Sequence, residues 1–267
     1  MKEKYILVTG AYGGMGRAAT KALRARGYTV LALDRSVDAP EESILPIEAD
    51  ITSEDGVASA LEAVKAYTHS LYAILHFAGV YMLDSLVEIE PSAFRAILNA
   101  NFYGAYLVNK TFLPLLSEKG RILITTSELA PLDPLPFTGL YAVTKAALDK
   151  YAYSLRMELQ LLHISVSVLR AGAVKTGMLG VSTDALDRFC ENTRLYKCNA
   201  ARFKAIVSRV EARSITPERL AEKAVKILEK RTPRFAYSIN RNPLLRLLNV
   251  LPKRMQLFVI RCVLRKT

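Results

Sequence analysis

Residues 5–16 read Tyr-Ile-Leu-Val-Thr-Gly-Ala-Tyr-Gly-Gly-Met-Gly, a short apolar run that passes directly into a cluster of glycines. A helical pattern follows over residues 15–26. Glycines at such a point permit a tight turn and close approach of a ligand, and the N–H groups that open a helix attract a pyrophosphate. Ordinary turns also use glycine, but this order of strand, glycines and helix predicts the first unit of a dinucleotide-binding fold.

The same alternation of short apolar runs and longer helical patterns continues through most of the chain. It is typical of successive β-α-β units that feed a parallel sheet covered on both faces. Strands are predicted over residues 5–9, 29–34, 44–48, 72–77, 121–126, 164–169 and 235–239. Helices are predicted over residues 15–26, 53–67, 93–116, 140–162 and 217–230, the last with Thr216 as its N-cap. The fold class is therefore α/β, a doubly wound parallel seven-stranded sheet (Rossmann fold).

Length and composition predict a single domain followed by a short extension. A chain of 267 residues with 51% hydrophobic content can bury one sizeable core and shape a cleft. We assign residues 1–240 to the Rossmann domain and residues 241–267 to a basic amphipathic helical extension. Within the domain, residues 176–215 are polar, basic and weakly periodic, which suits a mobile substrate-binding flap better than core.

The positive charge is concentrated in the last third of the chain. Residues 1–187 carry a net charge of −3 and residues 188–267 carry +15. A Lys/Arg-rich helix is usually only a solvated face, but an imbalance this large also favours anionic partners such as lipid head groups or acidic substrates. Nucleic acid is not expected as a partner, because basic runs interleaved with stacking aromatics and recognised nucleic-acid modules are missing from the sequence.

Cysteine usage and hydropathy predict a cytoplasmic protein. Cys190, Cys198 and Cys262 are too few for a disulfide framework and lack metal-ligand spacing, so we expect free thiols and no metal site. The first residues leave no room for the apolar region of a signal peptide. No stretch reaches the roughly 18 uninterrupted apolar residues of a membrane span.

Asp34 ends the second predicted strand, downstream of the glycine turn. A carboxylate there can accept both ribose hydroxyls of NAD and would repel a 2′-phosphate, so NAD is expected as the cofactor. A strand-end turn residue is the alternative interpretation. The adjacent Arg35 leaves NADP use open.

Tyr141 and Lys145 stand four residues apart at the start of a long predicted helix, so both side chains fall on one face. A phenol titrates near 10, and proton exchange with an alkoxide near neutrality requires a pKa lower by roughly 3 units. A neighbouring ammonium could supply part of that shift. Upstream, the predicted strand over residues 121–126 delivers Ser127 to the sheet edge where ligands bind, and its hydroxyl can contact the reacting oxygen.

These motifs together resemble the short-chain dehydrogenase/reductase family over about residues 4–240. The family's glycine turn matches at Thr9, Gly10, Gly14 and Gly16, and its Tyr-x-x-x-Lys matches at Tyr141 and Lys145. Its Asn-x-x-Gly matches at Asn101 and Gly104, and its adenine-binding Asp matches at Asp50. The resemblance implies a catalytic set of Asn101, Ser127, Tyr141 and Lys145, with Asn101 holding a relay water. It implies cofactor contacts from Gly10, Tyr12, Gly13, Gly14, Met15, Gly16, Asp34, Arg35, Asp50, Ile51, Ala78, Gly79, Tyr141, Lys145, Gly172, Val174 and Thr176.

The sequence departs from the family pattern at three places. Where the family has Asn-Asn-Ala-Gly, residues 76–79 read His-Phe-Ala-Gly, and His76 is expected to be structural rather than catalytic. The usual Pro-Gly is replaced by Ala-Gly at residues 171–172. The spacing from Ser127 to Tyr141 is one residue longer than usual, which leaves Thr126 as an alternative to the serine.

The resemblance implies an NAD(H)-dependent oxidoreductase that interconverts a secondary alcohol and a ketone, in a homodimer or homotetramer. The cleft walls are expected near residues 129–140, Met178 and Leu179 and in the basic flap. They suggest a bulky apolar substrate that can carry an acidic group, such as a hydroxysteroid or bile acid. Retinoid and fatty-acyl carbonyls are rival substrates. A non-catalytic nucleotide-binding regulator and a membrane-surface protein of the same fold are the alternatives from other functional classes.

Beyond the seventh predicted strand, Pro252 should divide two short helices. In the second helix, Arg254, Arg261 and Arg265 fall on one face and apolar residues cover a wide arc. Such a helix either folds back over the cleft or a subunit neighbour, or lies in a membrane interface as a peripheral contact.

Overall fold

The computed structural model describes residues 3–211 and 213–265, and it describes their side chains except at 178–184, 210 and 211. In this part of the chain, seven parallel strands form one sheet. Their bounds are β1 (Tyr5–Thr9), β2 (Thr29–Asp34), β3 (Ile44–Glu48), β4 (Leu71–His76), β5 (Leu116–Ser127), β6 (Ser165–Ala171) and β7 (Ala236–Ile239). The strands lie in the order β3-β2-β1-β4-β5-β6-β7. The predicted fold class is confirmed, and the bounds of β1, β2 and β3 are those expected from the sequence.

The strands are buried because helices cover both faces of the sheet. The helices are α1 (Gly14–Arg24), α2 (Glu54–Lys65), α3 (Pro91–Leu98), α4 (Gly104–Phe112), α5 (Gly139–Leu159), α6 (Gly177–Asn192), α7 (Lys197–Glu211), α8 (Pro217–Leu228), α9 (Pro243–Val250) and α10 (Lys253–Leu264). Helices α1 and α8 enclose one apolar core, and α2, α4 and α5 enclose the other. Thr216 caps α8 by accepting the Arg219 N–H, as predicted.

The strand order reverses between β1 and β4, and this reversal positions the ligand site. From β1 the chain builds outward to β2 and β3, and it then returns to place β4 on the other side of β1. The carboxyl ends of the strands around such a switch point leave a crevice, because their connections leave in opposite directions. Thr9, Asp34, His76 and Ser127 end four strands at this edge of the sheet.

The long helix predicted over residues 93–116 is interrupted. A π-helical turn over Asn99–Tyr103 separates α3 from α4, and a 3-10 turn over Leu113–Leu115 ends α4. The π turn contains Asn101, whose amide bonds to other segments of the chain, as described below. The interruption therefore coincides with a side chain that has tertiary partners, a common setting for π turns.

Residues 176–215, where the sequence predicted a mobile substrate-binding flap and no helix, contain α6 and α7 in their described part. Their sparse apolar side chains, among them Leu186, Phe189 and Phe203, are buried in a third cluster with Phe137. The helices were not predicted because few positions of this segment are apolar, so its hydrophobic periodicity is weak.

Residues 243–264 form the two helices that were predicted on either side of Pro252. We call α9 and α10 the tail helices. Leu264 of α10 joins the third cluster, so the tail packs against α7. Across residues 3–211 and 213–265, helices are too short or too polar to cross a membrane.

Candidate active site

The glycine turn between β1 and α1 is built by contacts that a larger side chain would prevent. Gly10 has φ of 67°, and a Cβ there would lie 2.5 Å from the Ala78 nitrogen. A Cβ on Gly16 would lie 1.9 Å from the Gly10 carbonyl oxygen, and one on Gly14 would lie 2.6 Å from the Thr176 Cβ. The turn therefore brings the start of α1 against the segment that follows β6.

This turn borders a cavity of about 180 Å³ that also reaches the ends of β2, β3 and β4. Its walls include most of the residues that the sequence assigned to the cofactor: Gly10, Gly13, Gly14, Met15, Gly16, Asp34, Arg35, Asp50, Ile51, Ala78, Gly79 and Thr176. The glycine cradle and the helix start on one side and two carboxylates on the other are the groups that a dinucleotide requires. The residues present thus fit a nicotinamide dinucleotide.

Asp34 both lines this cavity and holds the turn. Its Oδ2 accepts the Tyr12 N–H at 2.9 Å, and its Oδ1 accepts the Arg35 N–H at 2.8 Å. Each carboxylate oxygen keeps a further lone pair for a ligand. Asp50 is fixed in a similar way, because the Thr52 N–H and hydroxyl both donate to its Oδ1, and the backbone bond holds the pKa of Asp50 below its usual value.

The side chain of Tyr12 lies away from the cavity walls and packs against the core beside α1. The Arg17 guanidinium lies 5.4 Å from the centre of the Tyr12 ring. The backbone N–H of Tyr12 donates to Asp34, a residue of the cavity wall. Its backbone therefore supports the turn, and its contact with the cofactor stays a prediction.

A second cavity of about 200 Å³ adjoins the first and shares Met15, Gly79 and Thr176 with it. Ser127, Tyr141, Lys145, Gly172 and Val174 line it. The strand-end serine and the helical Tyr-x-x-x-Lys pair therefore meet beside the glycine turn. The side chains of Met178 and Leu179 lie outside the described residues.

Ser127 is the hydroxyl that contacts Tyr141. The two side chains share a hydrogen bond, and Ser127 Oγ also accepts the Leu129 N–H at 3.2 Å. Thr126 instead donates to buried Asp149 at 3.3 Å. The structure therefore favours Ser127 over the alternative that the longer spacing had left open.

The electrostatics of Tyr141 and Lys145 are set by burial. Desolvation raises the pKa of Tyr141 to about 12, although the hydrogen bond from Ser127 opposes the shift. Desolvation also lowers the pKa of Lys145 to about 8, so the ammonium remains the major form at neutral pH. Lys145 Nζ lies 5.8 Å from the centre of the Tyr141 ring and 3.5 Å from the Thr125 carbonyl oxygen.

Asn101 is buried in the π turn, and Gly79 lies beside both its side chain and that of Lys145. A Cβ on Gly79 would be 3.0 Å from Asn101 Oδ1 and 3.2 Å from Lys145 Nζ. The Asn101 amide accepts the Val80 N–H at 2.7 Å and donates to the Val80 carbonyl at 2.9 Å and to Thr144 at 3.1 Å. Its side chain thus fixes the segment after β4.

His76 belongs to a buried polar network behind the site. Its Nε2 donates to Asn109 Oδ1 at 2.9 Å, its Nδ1 lies 3.4 Å from the Thr9 hydroxyl, and Asn109 donates to Tyr151 at 3.2 Å. Burial lowers the pKa of His76 to about 4, so the ring is neutral at physiological pH. These contacts link β1, β4, α4 and α5, which agrees with a structural residue.

Two cleft residues were missed by sequence analysis. Tyr81 packs edge-on against Tyr141 with ring centres 4.6 Å apart. Glu128 lines the cleft directly after Ser127, burial raises its pKa, and its Oε2 accepts the Asn242 N–H at 2.6 Å. A carboxyl directly after Ser127 was a signal available in the sequence, whereas the position of Tyr81 depends on tertiary packing.

The outer part of the cleft is apolar. The side chains that form it come from the segment after β4, the loop after β5, α7 and α9: Val80, Tyr81, Leu129, Leu135, Phe203, Ile206, Val207 and Leu245. Most pockets that bind small molecules combine such walls with a few convergent polar groups. Here the polar groups are at the inner end.

Comparison with known proteins identifies a single family. The model of the short chain dehydrogenase family matches residues 4–187. Mouse estradiol 17-beta-dehydrogenase 2 is 33% identical over 198 residues, 70% of this chain and 52% of the mouse protein. The NADPH-dependent 1-acyldihydroxyacetone phosphate reductase of Schizosaccharomyces pombe is 28% identical over 193 residues, 68% of this chain and 65% of the yeast protein. The matched part is therefore between half and two thirds of these relatives.

The fold is also that of solved structures. The crystal structure of a short chain dehydrogenase family protein from Francisella tularensis superposes with a TM-score of 0.74 at 21% identity, covering 89% of this chain and 97% of that protein. At this identity the likeness concerns the fold alone.

Proposed function

Because the chain belongs to the short-chain dehydrogenase family of oxidoreductases, we propose that it interconverts a secondary alcohol and a ketone with NAD(H). The observation that carries the proposal is the placement of Ser127, Tyr141 and Lys145 in a cleft adjoining the glycine-lined cavity. Asn101, the fourth residue of the proposed catalytic set, lies next to Lys145. A non-catalytic nucleotide-binding protein would have no chemical need for a Tyr-Lys pair in this cleft.

In the proposed reaction, Tyr141 is the acid and base. During reduction, its phenol donates a proton to the carbonyl oxygen as the carbon accepts a hydride, and during oxidation the phenolate accepts the proton of the alcohol. Ser127 donates a hydrogen bond to the reacting oxygen. The residues of the glycine-lined cavity would hold NAD(H), which would supply or accept the hydride and in its oxidised form would carry a positive charge.

The raised pKa of Tyr141 shows how much the phenolate must be stabilised, in part by Lys145. From about 12, the pKa must fall by roughly 5 units for the phenolate to be accessible near neutrality, which corresponds to about 7 kcal/mol. Lys145 carries a positive charge at neutral pH and lies beside the ring. We infer that this ammonium, together with the cofactor charge, stabilises the phenolate while its donors bind the cofactor ribose.

We propose NAD as the preferred cofactor on the basis of Asp34. Its carboxylate lies in the cavity, where it can accept ribose hydroxyls and would repel a 2′-phosphate. Arg35 in the same wall leaves NADP use open, and the yeast relative is named as NADPH-dependent.

The apolar outer cleft supports a bulky apolar substrate, and we favour a hydroxysteroid or bile acid. The name of the mouse relative refers to a steroid, and that of the yeast relative refers to an acyl lipid. Retinoid and fatty-acyl carbonyls therefore remain the rival substrates. We also propose that the protein is cytoplasmic, where its three free cysteines stay reduced.

The test is a screen of the purified chain against steroid, bile-acid, retinoid and acyl alcohols and ketones, each with NAD(H) and NADP(H). We expect turnover with at least one apolar secondary alcohol or ketone and a higher kcat/KM with NAD(H). Tight NADH binding without turnover across the panel would contradict the enzyme proposal and support a regulatory nucleotide-binding protein.

A further inference from the structure

The tail helices have two apolar faces, and only one of them is buried. On the inner side, Leu245 lines the cleft and Leu264 is buried in the third cluster. Asp133 donates its N–H to Asn249 at 2.7 Å, and Asn199 donates to the Leu264 carbonyl at 2.6 Å. The helices are therefore anchored to the body through their inner face.

The outer face of α9 is a stripe of aliphatic side chains. Leu244 is 66% exposed, Leu247 is 64% exposed and Val250 is 81% exposed. Their spacing of three residues places them along one side of the helix. On α10, Leu257 is 68% exposed and Phe258 is 59% exposed. Large apolar side chains so exposed in two consecutive helices mark an interaction surface more often than an ordinary solvated face.

The tail helices themselves carry positive charge only, and Lys253 of α10 pairs with Asp133 of the body. Residues 241–265 contain six Lys and Arg and no Asp or Glu. Arg254 and Arg261 are exposed on α10, one turn before and one turn after Leu257 and Phe258, and Arg246 is exposed next to Leu247. A second copy of the chain meeting this face symmetrically would bring arginines against arginines, which disfavours a homodimer through the tail.

We propose that the outer face of α9 and α10 docks the protein on a bilayer that contains anionic lipids. Leucine and phenylalanine side chains would enter the interface between head groups and acyl chains, and the arginines would contact anionic head groups. The same helix α9 contributes Leu245 to the cleft, so docking would bring the cleft close to an apolar phase. That last consequence rests on the proposed function, whereas the docking does not.

The test is cosedimentation of the full chain with vesicles of phosphatidylcholine, alone or mixed equally with phosphatidylserine. We expect binding at least about tenfold stronger to the anionic vesicles. About 0.5 M salt, with a Debye length of about 4 Å, should weaken it. Recovery in the supernatant with both vesicles would overturn the proposal, and so would equal binding to both.

Variants assign the binding to the tail. Leu247→Asp with Phe258→Asp should abolish binding, and Arg254→Glu with Arg261→Glu should weaken it by about tenfold or more. The matched control is Leu161→Asp, an equally accessible leucine after α5 that is 78% exposed. Unchanged binding of both tail variants, or an equal loss in the control, would contradict the assignment. Thermal melting and NADH binding, measured without vesicles, separate a loss of docking from a loss of folding or of the proposed cofactor site.

One further measurement tests whether a second copy of the chain, rather than a bilayer, covers this face. Sedimentation velocity without lipid should give the same oligomeric state for the parent chain and for Leu247→Asp with Phe258→Asp. A dimer that the double variant loses, without vesicle binding by the parent, would assign this face to a second copy and overturn the proposal.

Discussion

At the scale of single residues, the candidate site depends on where a few side chains meet rather than on unusual residue types. Tyr141 and Lys145 are brought together by one turn of α5, and Ser127 reaches them because β5 ends opposite that turn. Behind them, His76 links β4 to α4 through a buried hydrogen bond to Asn109. The residues that would do chemistry and the residues that hold them can therefore be tested separately.

Tyr141→Phe should abolish turnover while NADH binding stays within a few fold of the parent. The change removes the phenolic oxygen that would exchange the proton and removes little contact area. Tyr153→Phe, on the exposed side of the same helix, is the control and should keep full activity. Steady-state rates of Tyr141→Phe above about a tenth of the parent rate would be incompatible with an acid/base role.

Asp34→Ala should shift the preference toward NADP by about tenfold or more in the ratio of kcat/KM values, because the repulsion of a 2′-phosphate is lost. The carboxylate also accepts the Tyr12 N–H, so loss of the turn contact could contribute. Asp34→Asn keeps an acceptor and removes the charge, and it should shift the preference in the same direction. A parent enzyme that already prefers NADP would show that our interpretation of Asp34 is wrong.

His76 should make folding stability depend on pH. Its pKa is about 4 in the folded chain because of burial, and about 6.5 when unfolded. Between these values the unfolded chain binds the extra proton, so stability is present above pH 6.5 and is lost as the pH falls through 4. From pH 7 to pH 5 the parent should lose about 2 kcal/mol more unfolding free energy than His76→Asn, measured by denaturant titration. An equal loss in both proteins would show that His76 is not neutral in the fold.

At the scale of elements, the sequence predicted those parts of the fold that local pattern determines. Strands β1 to β3 were located to the residue because each is a short apolar run between polar or glycine-rich segments. Helices α6 and α7 were missed because their buried positions, such as Leu186 and Phe203, pack against Phe137, which is distant in sequence. The π turn at Asn101 was missed because its bonds are made to distant segments.

Side-chain positions at the predicted site also depend on contacts between distant segments, which the sequence does not report. Motif spacing indicated Ser127, Tyr141 and Lys145, and they line one cleft. Tyr12 lies within the glycine motif, but a motif does not report which way a side chain points, and its ring packs against the core. Tyr81 contacts Tyr141 across more than fifty residues of chain, which local spacing cannot reveal.

The turn from β1 to α1 offers a matched pair of glycine variants. Gly16→Ala would place its Cβ 1.9 Å from a backbone oxygen, whereas Gly13→Ala would meet the same oxygen at 3.4 Å and has an ordinary φ of −70°. We expect Gly16→Ala to lower the free energy of unfolding by more than about 2 kcal/mol and Gly13→Ala to stay within about 1 kcal/mol. Similar denaturant midpoints for the two variants would contradict this account of the turn.

At the scale of the whole molecule, two exposed apolar surfaces differ in the charged residues beside them and therefore fit different partners. The charged side chains of the tail helices, over residues 241–265, are all Lys or Arg. The outer side of α5, with Val143, Tyr153 and Met157 each about half exposed, has Lys150 and Glu158 beside it, so both signs of charge are present. Mixed charge permits a self-complementary contact between two copies, because each sign can meet its opposite.

We therefore expect a homodimer or homotetramer that uses the long helix α5 and the neighbouring α4, where Tyr106 is also exposed. Burying the exposed half of one such apolar side chain contributes about 1 kcal/mol, so several in each copy can support a stable contact. Tyr153→Glu with Met157→Glu would place charge in that contact and should raise the dimer dissociation constant by about tenfold or more, measured by sedimentation equilibrium. Leu247→Asp, on the tail, is the control and should leave the association unchanged because it lies outside α5. A parent chain that is monomeric at every concentration, or a dimer that the double variant does not weaken, would exclude α5 as the subunit interface.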